Sequence, residues 1–413
     1  MNRLCHDRRF YLFLFANVLS SIGSGITMIA IPWLLVTQVD GGTVLGYTTI
    51  FMTIFNFVLT PWVGQIVDRY SRKQILMFGE AFGFILIMAF VIVGILGFDF
   101  QIGHYIILYG TGSLYYNFFY PAIFAFNQEV FEQSVYQSLN GAMEIQGQIS
   151  SVIAGAVAAM LISTVDLHWM LLLDAITYFG AFLLYRAVPY SWKERALPKG
   201  SFWRNLTEGY WFLKKKPILF WFLMASFMPF IGVMVTNYVF PVYLADVLKT
   251  DASAYGMQSM VYGIGAAAAG MIIPFLAVKW GNRRSILVTV LIYTIGISAI
   301  LLVDNIPFFF VLTVLLAFGN AGTRVARNSF MMEVVPNEII GRVDSLFRVV
   351  GLGIRIVLLM IFTQFTASNN VLISFYLLTG LLVTSFLIVY CTEKTMKRQK
   401  EDSFSKAIHG KYH

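Results

Sequence analysis

The sequence predicts an all-α membrane protein of twelve transmembrane helices, arranged as two pseudo-symmetric six-helix bundles. Three observations carry this. Of the 413 residues, 58% are hydrophobic and only 12% charged, against about 25% charged in soluble domains. Twelve apolar runs reach or approach the roughly 20 residues that a helix needs to cross about 30 Å of hydrocarbon. Most charged residues fall between the runs, and their pattern in the first six recurs in the last six.

The first run, residues 10–36, follows a basic N-terminus but is too long for the apolar segment of a cleaved leader. Asp40-Gly41-Gly42 then turns the chain into the second run, 44–67. Gly64-Gln65-Ile66-Val67-Asp68-Arg69-Tyr70-Ser71-Arg72-Lys73 separates it from the third, 74–97; a turn of Asp, Arg and Lys cannot lie in hydrocarbon and must emerge into water. Gly97-Phe98-Asp99 leads to the fourth run, 102–126, followed by the fifth at 139–164 and the sixth at 168–188. Residues 189–217 form the longest polar stretch, with Lys193, Arg195, Lys199 and Lys214-Lys215-Lys216 interleaved with Phe202-Trp203 and Tyr210-Trp211-Phe212; part of it reads as an amphipathic helix on the membrane surface. The second set follows at 218–245, 254–278, 285–303, 306–328, 341–365 and 370–391, with turns at Asp304-Asn305-Ile306-Pro307 and Ser368-Asn369-Asn370. The expected organisation is a bundle at 1–188, a linker at 189–217, a bundle at 218–392 and a tail at 393–413.

If the N-terminus is cytoplasmic, that side receives Arg3, Arg8, Arg9, the Arg69–Lys73 turn, the linker, Lys279, Arg283, Arg284, Arg342 and the Lys-rich tail, while the opposite loops receive only Lys249. Basic residues concentrate on cytoplasmic loops, so both termini are expected inside. The net charge of +8 is then an anchoring pattern and not a nucleic-acid footprint. Cys5 and Cys391 both fall on the cytoplasmic side, where a structural disulfide is not expected.

Internal repetition supports the two-bundle reading. Ser71-Arg72-Lys73-Gln74-Ile75-Leu76 recurs as Asn282-Arg283-Arg284-Ser285-Ile286-Leu287, between the second and third runs of each half. Glu129-Val130-Phe131, after the fourth run, recurs as Glu333-Val334-Val335, after the tenth. Transporters are commonly built from such repeats.

The turn Gly64–Lys73 resembles the signature G-x-x-x-D-R-x-G-R-R/K of the major facilitator superfamily, with Ser71 where the pattern has Gly. Val335-Pro336-Asn337-Glu338-Ile339-Ile340-Gly341-Arg342-Val343-Asp344 and Leu173-Asp174-Ala175 resemble the drug/proton exporters related to macrolide efflux pumps and the enterobactin exporter. The antiporter pattern G-x-x-x-G-P-x-x-G is not kept: Gly147, Ser151 and Gly155 preserve only small residues at four-residue spacing, which suits close helix packing. The resemblance implies a major facilitator fold, alternating access, a cavity lined by the first, fourth, seventh and tenth spans, and a gating role for Asp68, Arg69 and Arg72 against the inner end of the eleventh span, where Asp344 lies.

Ionisable groups within spans are functional candidates by default. Asn320, Arg324 and Asn328 repeat every four residues in the tenth span, with Arg327 nearer its end and fit to snorkel. Arg348 and Arg355 lie two turns apart in the eleventh; Arg348 has Asp344 four residues before it, whereas Arg355 lies about 20 Å into its span. Arg324, Arg348, Arg355 and Asn320 suggest an electropositive wall for carboxylates, phosphates or sulfates, with Asn17, Tyr116 and Asn237 as an uncharged lining. Glu144 and Asp174 are the candidates for proton coupling, Asp174 also having a packing role open to it.

The absence of a Gly-rich phosphate loop, metal-ligand spacing or a nucleophile constellation argues against an ATP-driven pump on this chain and against an enzyme. The expectation is therefore a proton-coupled secondary exporter of a small amphipathic molecule, an anionic siderophore or metallophore first, with a multidrug or macrolide pump as the alternative. Uptake, lipid flipping, or a non-transporting sensor on the same scaffold are also compatible with these residues. The expectation includes no cofactor beyond the proton gradient, a monomer, the lipid bilayer as partner and no nucleic acid, in a bacterial inner or plasma membrane.

Overall fold

The computed structural model describes residues 7–132, 135–190, 202–336 and 339–409. No strand occurs among them, and each expected span is helical. The first half contains α1 (Arg8–Val36), α2 (Gly41–Arg69), α3 (Arg72–Ile95), α4 (Ile102–Val130), α5 (Tyr136–Leu161) and α6 (Leu167–Ala187). A short helix, α7 (Phe202–Lys214), occupies the linker. The seventh span is assembled from α8 (Pro217–Ala225), α9 (Met228–Val242) and a π-helical turn at Tyr243–Val247. The remainder are α10 (Ala252–Trp280), α11 (Asn282–Ile300), α12 (Ile306–Val334), α13 (Ile340–Ala367) and α14 (Leu372–His409), the last running well beyond the expected membrane segment.

Among the described residues, eleven helical segments are long and apolar enough to cross a membrane. The exception, α4, is 29 residues long and equal to α1 in length, but carries Tyr115, Tyr116 and Asn117 in its centre. Termini are set by local chemistry. Asp7 caps α1 by accepting from the Arg9 amide at 2.8 Å; the Arg9 side chain also bonds Asp7 and holds that carboxyl below its ordinary range. Ser71 is the N-cap of α3, its hydroxyl facing the Gln74 amide at 3.5 Å, which gives the departure from Gly a structural use. Asn305 caps α12 through the Phe308 amide at 2.9 Å. Lys73 Nζ donates to the Arg186 and Val188 carbonyls at 2.8 Å each, stitching the start of α3 to the end of α6.

The chain divides into two compact units. The first comprises Met1–Lys199 with Tyr238–Ile264 and Leu359–Asn369. Here α1 packs on α2, α4, α5 and α6, and α3 packs on α4 and α6. α5 and α10 approach at backbone range: a Cβ on Gly155 would lie 2.5 Å from the Met260 amide nitrogen, and one on Gly256 2.4 Å from that of Ala159. Gly147 faces open space, so only one end of the small-residue series serves packing.

The second unit comprises Gly200–Asn237, Gly265–Leu358 and Asn370–His413. α11 packs on α12 and α14, and α8 on α14. The repeat is visible in bonding as well as in sequence. In the first unit Arg72, at the start of α3, meets Glu129, near the end of α4, at 2.9 Å, with Tyr190 donating to the same carboxylate. In the second, Asn282 at the start of α11 donates to Glu333 near the end of α12 at 3.2 Å.

Candidate functional site

The second unit contains a basic and aromatic pocket of about 190 Å³, lined by Ser226, Phe227 and Phe230, by Asn320, Thr323, Arg324, Arg327 and Asn328 of α12, and by Asp344 and Arg348 of α13. Its shape begins with a break in the seventh span. Pro229 has no amide hydrogen, so the Ala225 carbonyl loses its helical donor; the Ser385 hydroxyl on α14 replaces it at 2.7 Å. One turn earlier, the Phe227 amide bonds to Met224 instead of Leu223. The Leu223 carbonyl is satisfied by the Ser226 hydroxyl at 3.0 Å and by Arg327 Nε at 3.3 Å. The break therefore places Phe227 and Phe230 at the pocket and gives Arg327 a backbone acceptor.

Arg327 is 4% exposed. Its guanidinium carbon lies 4.7 Å from the Phe227 ring centroid and 5.0 Å from that of Phe347, between two aromatic faces that attract a cation without hydrogen-bonding it. Nη2 is buried and has no protein partner among the described residues. Arg348 Nε donates to Asp344 Oδ2 at 2.7 Å, while most of the Arg348 side chain remains exposed. The pocket thus offers guanidinium donors to an oxyanion, aromatic walls to an apolar neighbour, and one carboxylate that sets the position of Arg348.

Four of the residues expected from sequence, Asn320, Arg324, Arg348 and Asp344, converge on this pocket. Arg327, expected to snorkel at the membrane boundary, is instead buried at its wall. Arg355 is half-buried and lies outside the lining, as does Asn237, which is exposed on α9. Ser226, Phe227 and Phe230 were absent from the expected set; Pro229 within an apolar run is the signal that points to them.

The first unit holds a second polar cluster. Asn17, Ser20, Ser24 and Thr27 form a buried stripe along one face of α1. The Asn17 side-chain oxygen accepts from Tyr185 at 2.6 Å, and Ser24 contacts the Tyr116 hydroxyl at 2.8 Å. Thr27 donates to Asp174 Oδ2 at 2.5 Å, while Oδ1 of the same carboxyl is buried without a partner among the described residues. Glu80 of α3, fully buried, contacts Tyr115 at 2.8 Å and Ser20 at 3.1 Å. Neither Glu80 nor Asp174 has a Lys or Arg at ion-pair distance among the described residues. Asn17 itself, and Tyr116 and Asp174 through Ser24 and Thr27, thus meet along one buried face of α1. Glu80 was not among the expected residues, although it is the only acid inside the third run. Glu144 is exposed on α5 and accepts from Gln148 at 3.0 Å. Of the expected gating residues, Arg72 is buried against Glu129, Arg69 is exposed over the Tyr70 ring at 5.7 Å, and the Asp68 side chain lies outside the described residues.

Comparison with known proteins agrees with this architecture. The Major Facilitator Superfamily profile matches residues 13–351 and, in a second alignment, 222–408. Macrolide efflux protein A of Streptococcus pyogenes is 22% identical over 395 residues, covering 92% of this chain and 95% of that protein. Multidrug efflux pump Tap of Mycolicibacterium fortuitum is 20% identical over 351 residues, covering 80% of this chain and 83% of the pump. Among solved structures, a bacterial homologue of the iron transporter ferroportin in an inward-facing state superposes with a TM-score of 0.72 at 14% identity, over 93% of this chain and 98% of that one, a likeness of fold alone. With its helical spans, repeated halves and family match over most of its length, this chain belongs to the Major Facilitator Superfamily and is a multi-pass membrane transporter, not an enzyme.

Proposed function

We propose that this transporter is a secondary-active exporter of a small amphipathic molecule bearing an anionic group, driven by the proton gradient, in a bacterial inner or plasma membrane with both termini cytoplasmic. The observation that carries the reading is the basic and aromatic pocket, where Arg324, Arg327 and Arg348 stand with Phe227 and Phe230 around about 190 Å³. Guanidinium forks suit carboxylate, phosphate or sulfate, and a carboxylate-rich siderophore or metallophore meets both halves of that chemistry. The pocket is below the roughly 300–1,000 Å³ of a complete small-molecule site, so it fits the anionic end of a substrate whose remainder lies elsewhere. Export itself is supported by the efflux proteins among the relatives.

A second reading is macrolide or multidrug efflux, which the names of those relatives favour. The two separate in proteoliposomes carrying an imposed pH gradient, tested with an aminocarboxylate metallophore, a cationic dye and a macrolide. Gradient-driven movement of the metallophore, lost in Arg324→Ala, supports the anion exporter. Movement of dye or macrolide alone, unaffected by that substitution, replaces it with the drug-efflux reading.

A further inference from the structure

Glu80 is enclosed among α1, α3 and α4, and its contacts carry a hydrogen count. The Tyr115 hydroxyl lies 2.8 Å from Oε1, Ser20 Oγ lies 3.1 Å from Oε2, and Ser20 Oγ lies 2.6 Å from the Tyr115 hydroxyl. The three groups form a closed ring. Each hydroxyl owns one hydrogen, and three oxygen–oxygen contacts at these distances require three. Ser20 and Tyr115 supply two. No nearby hydroxyl supplies the third, because the Ser24 hydrogen is directed at the Ser20 carbonyl at 2.6 Å. The count closes when the carboxyl supplies the third hydrogen: Glu80 then donates to Ser20, Ser20 to Tyr115, and Tyr115 back to Glu80.

We propose that Glu80 carries the coupling proton of this transporter and that the present conformation is its proton-loaded form. The proposal rests on the proton-driven reading above and assigns the coupling site to a residue of α3. Release breaks only the carboxyl O–H bond; the proton passes to water and the charge stays on Glu80. Two hydrogens then remain for three contacts. The ionised carboxylate takes both, leaving the Ser20 and Tyr115 oxygens facing each other with lone pairs only, so that contact opens. Proton loss is thereby converted into separation of α1 from α4 at mid-helix. An ionised carboxyl in this position is costly without a cation, and no Lys or Arg stands at ion-pair distance among the described residues. From α1 Glu80 faces the Ser20 hydroxyl; from α4 it faces Tyr115 and Tyr116; from α6 it faces Asp174, Tyr178 and Tyr185. Asp174 is the one other carboxyl among these neighbours.

The test uses the purified full-length protein in lipid, by infrared spectroscopy at neutral pH without ligand and by transport in proteoliposomes. The protonated-carboxyl stretching band is expected in the wild type, lost in Glu80→Gln, retained in Asp174→Asn, and shifted in Tyr115→Phe, which deletes two of the three contacts. In liposomes, Glu80→Gln is expected to abolish accumulation of the aminocarboxylate metallophore against its gradient under an imposed pH difference, while preserving its counterflow exchange. The proposal is overturned by a band that survives Glu80→Gln, by uphill transport that survives it, or by loss of both transport modes in a folded variant, which would place Glu80 in substrate binding. If the metallophore is not moved by the wild type, the anion reading fails, and the infrared result alone decides the state of Glu80. If Glu80→Gln does not fold, the Tyr115→Phe shift decides: an unshifted band overturns the ring.

Discussion

Replacing Arg327 by Met separates the anion pocket from the architecture that holds it. Met keeps an unbranched apolar side chain between Phe227 and Phe347, whose centroids lie 4.7 and 5.0 Å from the guanidinium carbon, and a thioether packs well against aromatic rings. The Leu223 carbonyl loses Arg327 Nε at 3.3 Å but keeps the Ser226 hydroxyl at 3.0 Å, so no acceptor is orphaned. Because exchanging a buried charge for a well-packed apolar group is often neutral or stabilising, the melting temperature in detergent is expected to stay within a few degrees of wild type. Affinity behaves differently. A hydrogen bond to a charged group is worth about 1.5–3 kcal/mol, which corresponds to a loss of roughly 10- to 150-fold in the binding constant for the anionic ligand. Arg327→Lys keeps a charge but cannot bridge both rings while presenting a fork, so an intermediate loss is expected. Tryptophan-fluorescence titration with the aminocarboxylate metallophore and its neutral ester measures both. Equal affinity of wild type and Arg327→Met for the acid, in a protein of unchanged melting temperature, refutes the assignment of Arg327 to anion binding.

Three further outcomes follow from packing. Arg72→Ala removes the cation from Glu129, which keeps the Tyr190 hydroxyl, in a pair whose side chains are 6% and 9% exposed; breaking a buried pair costs about 3–5 kcal/mol, so thermal unfolding in detergent should shift downward, while Glu129→Gln/Arg72→Met should recover much of the loss. Ser385→Ala removes from the Ala225 carbonyl the hydroxyl that replaces the missing Pro229 amide and should cost about 1–3 kcal/mol; the same change in a Pro229→Ala background should cost less, a coupling that a double-mutant cycle reads directly. Gly155→Leu places a Cβ 2.5 Å from one backbone atom of α10 and 2.9 Å from another, neither able to yield, and should abolish folded yield on size exclusion, whereas Gly147→Leu, in open space, should be tolerated.

The spans were legible because composition and charge punctuation dominate a membrane chain: an apolar run of about 20 residues has few alternatives once water-facing turns bound it. The α12 polar series was legible for a related reason, since Asn320, Arg324 and Asn328 lie on one face whatever surrounds the helix. What the run cannot state is its rotation. Arg327 is seven residues from the end of α12, a depth compatible with snorkelling; only the seating of α12 against Phe227 and Phe347 turns it inward. The break in the seventh span was written as Pro229, yet its consequence, a Leu223 carbonyl left for an arginine, depends on partners over a hundred residues away. Glu80 is a different case. A lone acid in an apolar run is readable by the cost of burying charge, but its importance rests on two hydroxyls, from Ser20 and Tyr115, that no spacing rule brings together.

Duplication explains why the two halves share a frame but not an interior. The bond that ties the third helix of each half to the end of the fourth is kept, as Arg72 to Glu129 and as Asn282 to Glu333. Away from that frame the copies diverge in charge. The first unit buries two carboxyls, Glu80 and Asp174, with hydroxyls as their partners among the described residues; the second gathers guanidinium groups around one pocket. A carboxyl that must gain and lose a proton is best surrounded by groups that hydrogen-bond either form, and an anion site is best built from groups whose charge never changes. Placing Arg beside Glu80 would fix it as a carboxylate, and placing an acid against Arg327 would occupy its free nitrogen. Segregating the two chemistries onto different copies of one scaffold keeps the titrating group and the permanent charges from neutralising each other, and it makes a specific demand: Ser20→Arg, which supplies Glu80 with a fixed cation, should end coupling to pH while leaving the affinity of the arginine pocket for the metallophore intact. Loss of that affinity in a folded Ser20→Arg protein would mean that the two chemistries are not separable in the way their placement implies.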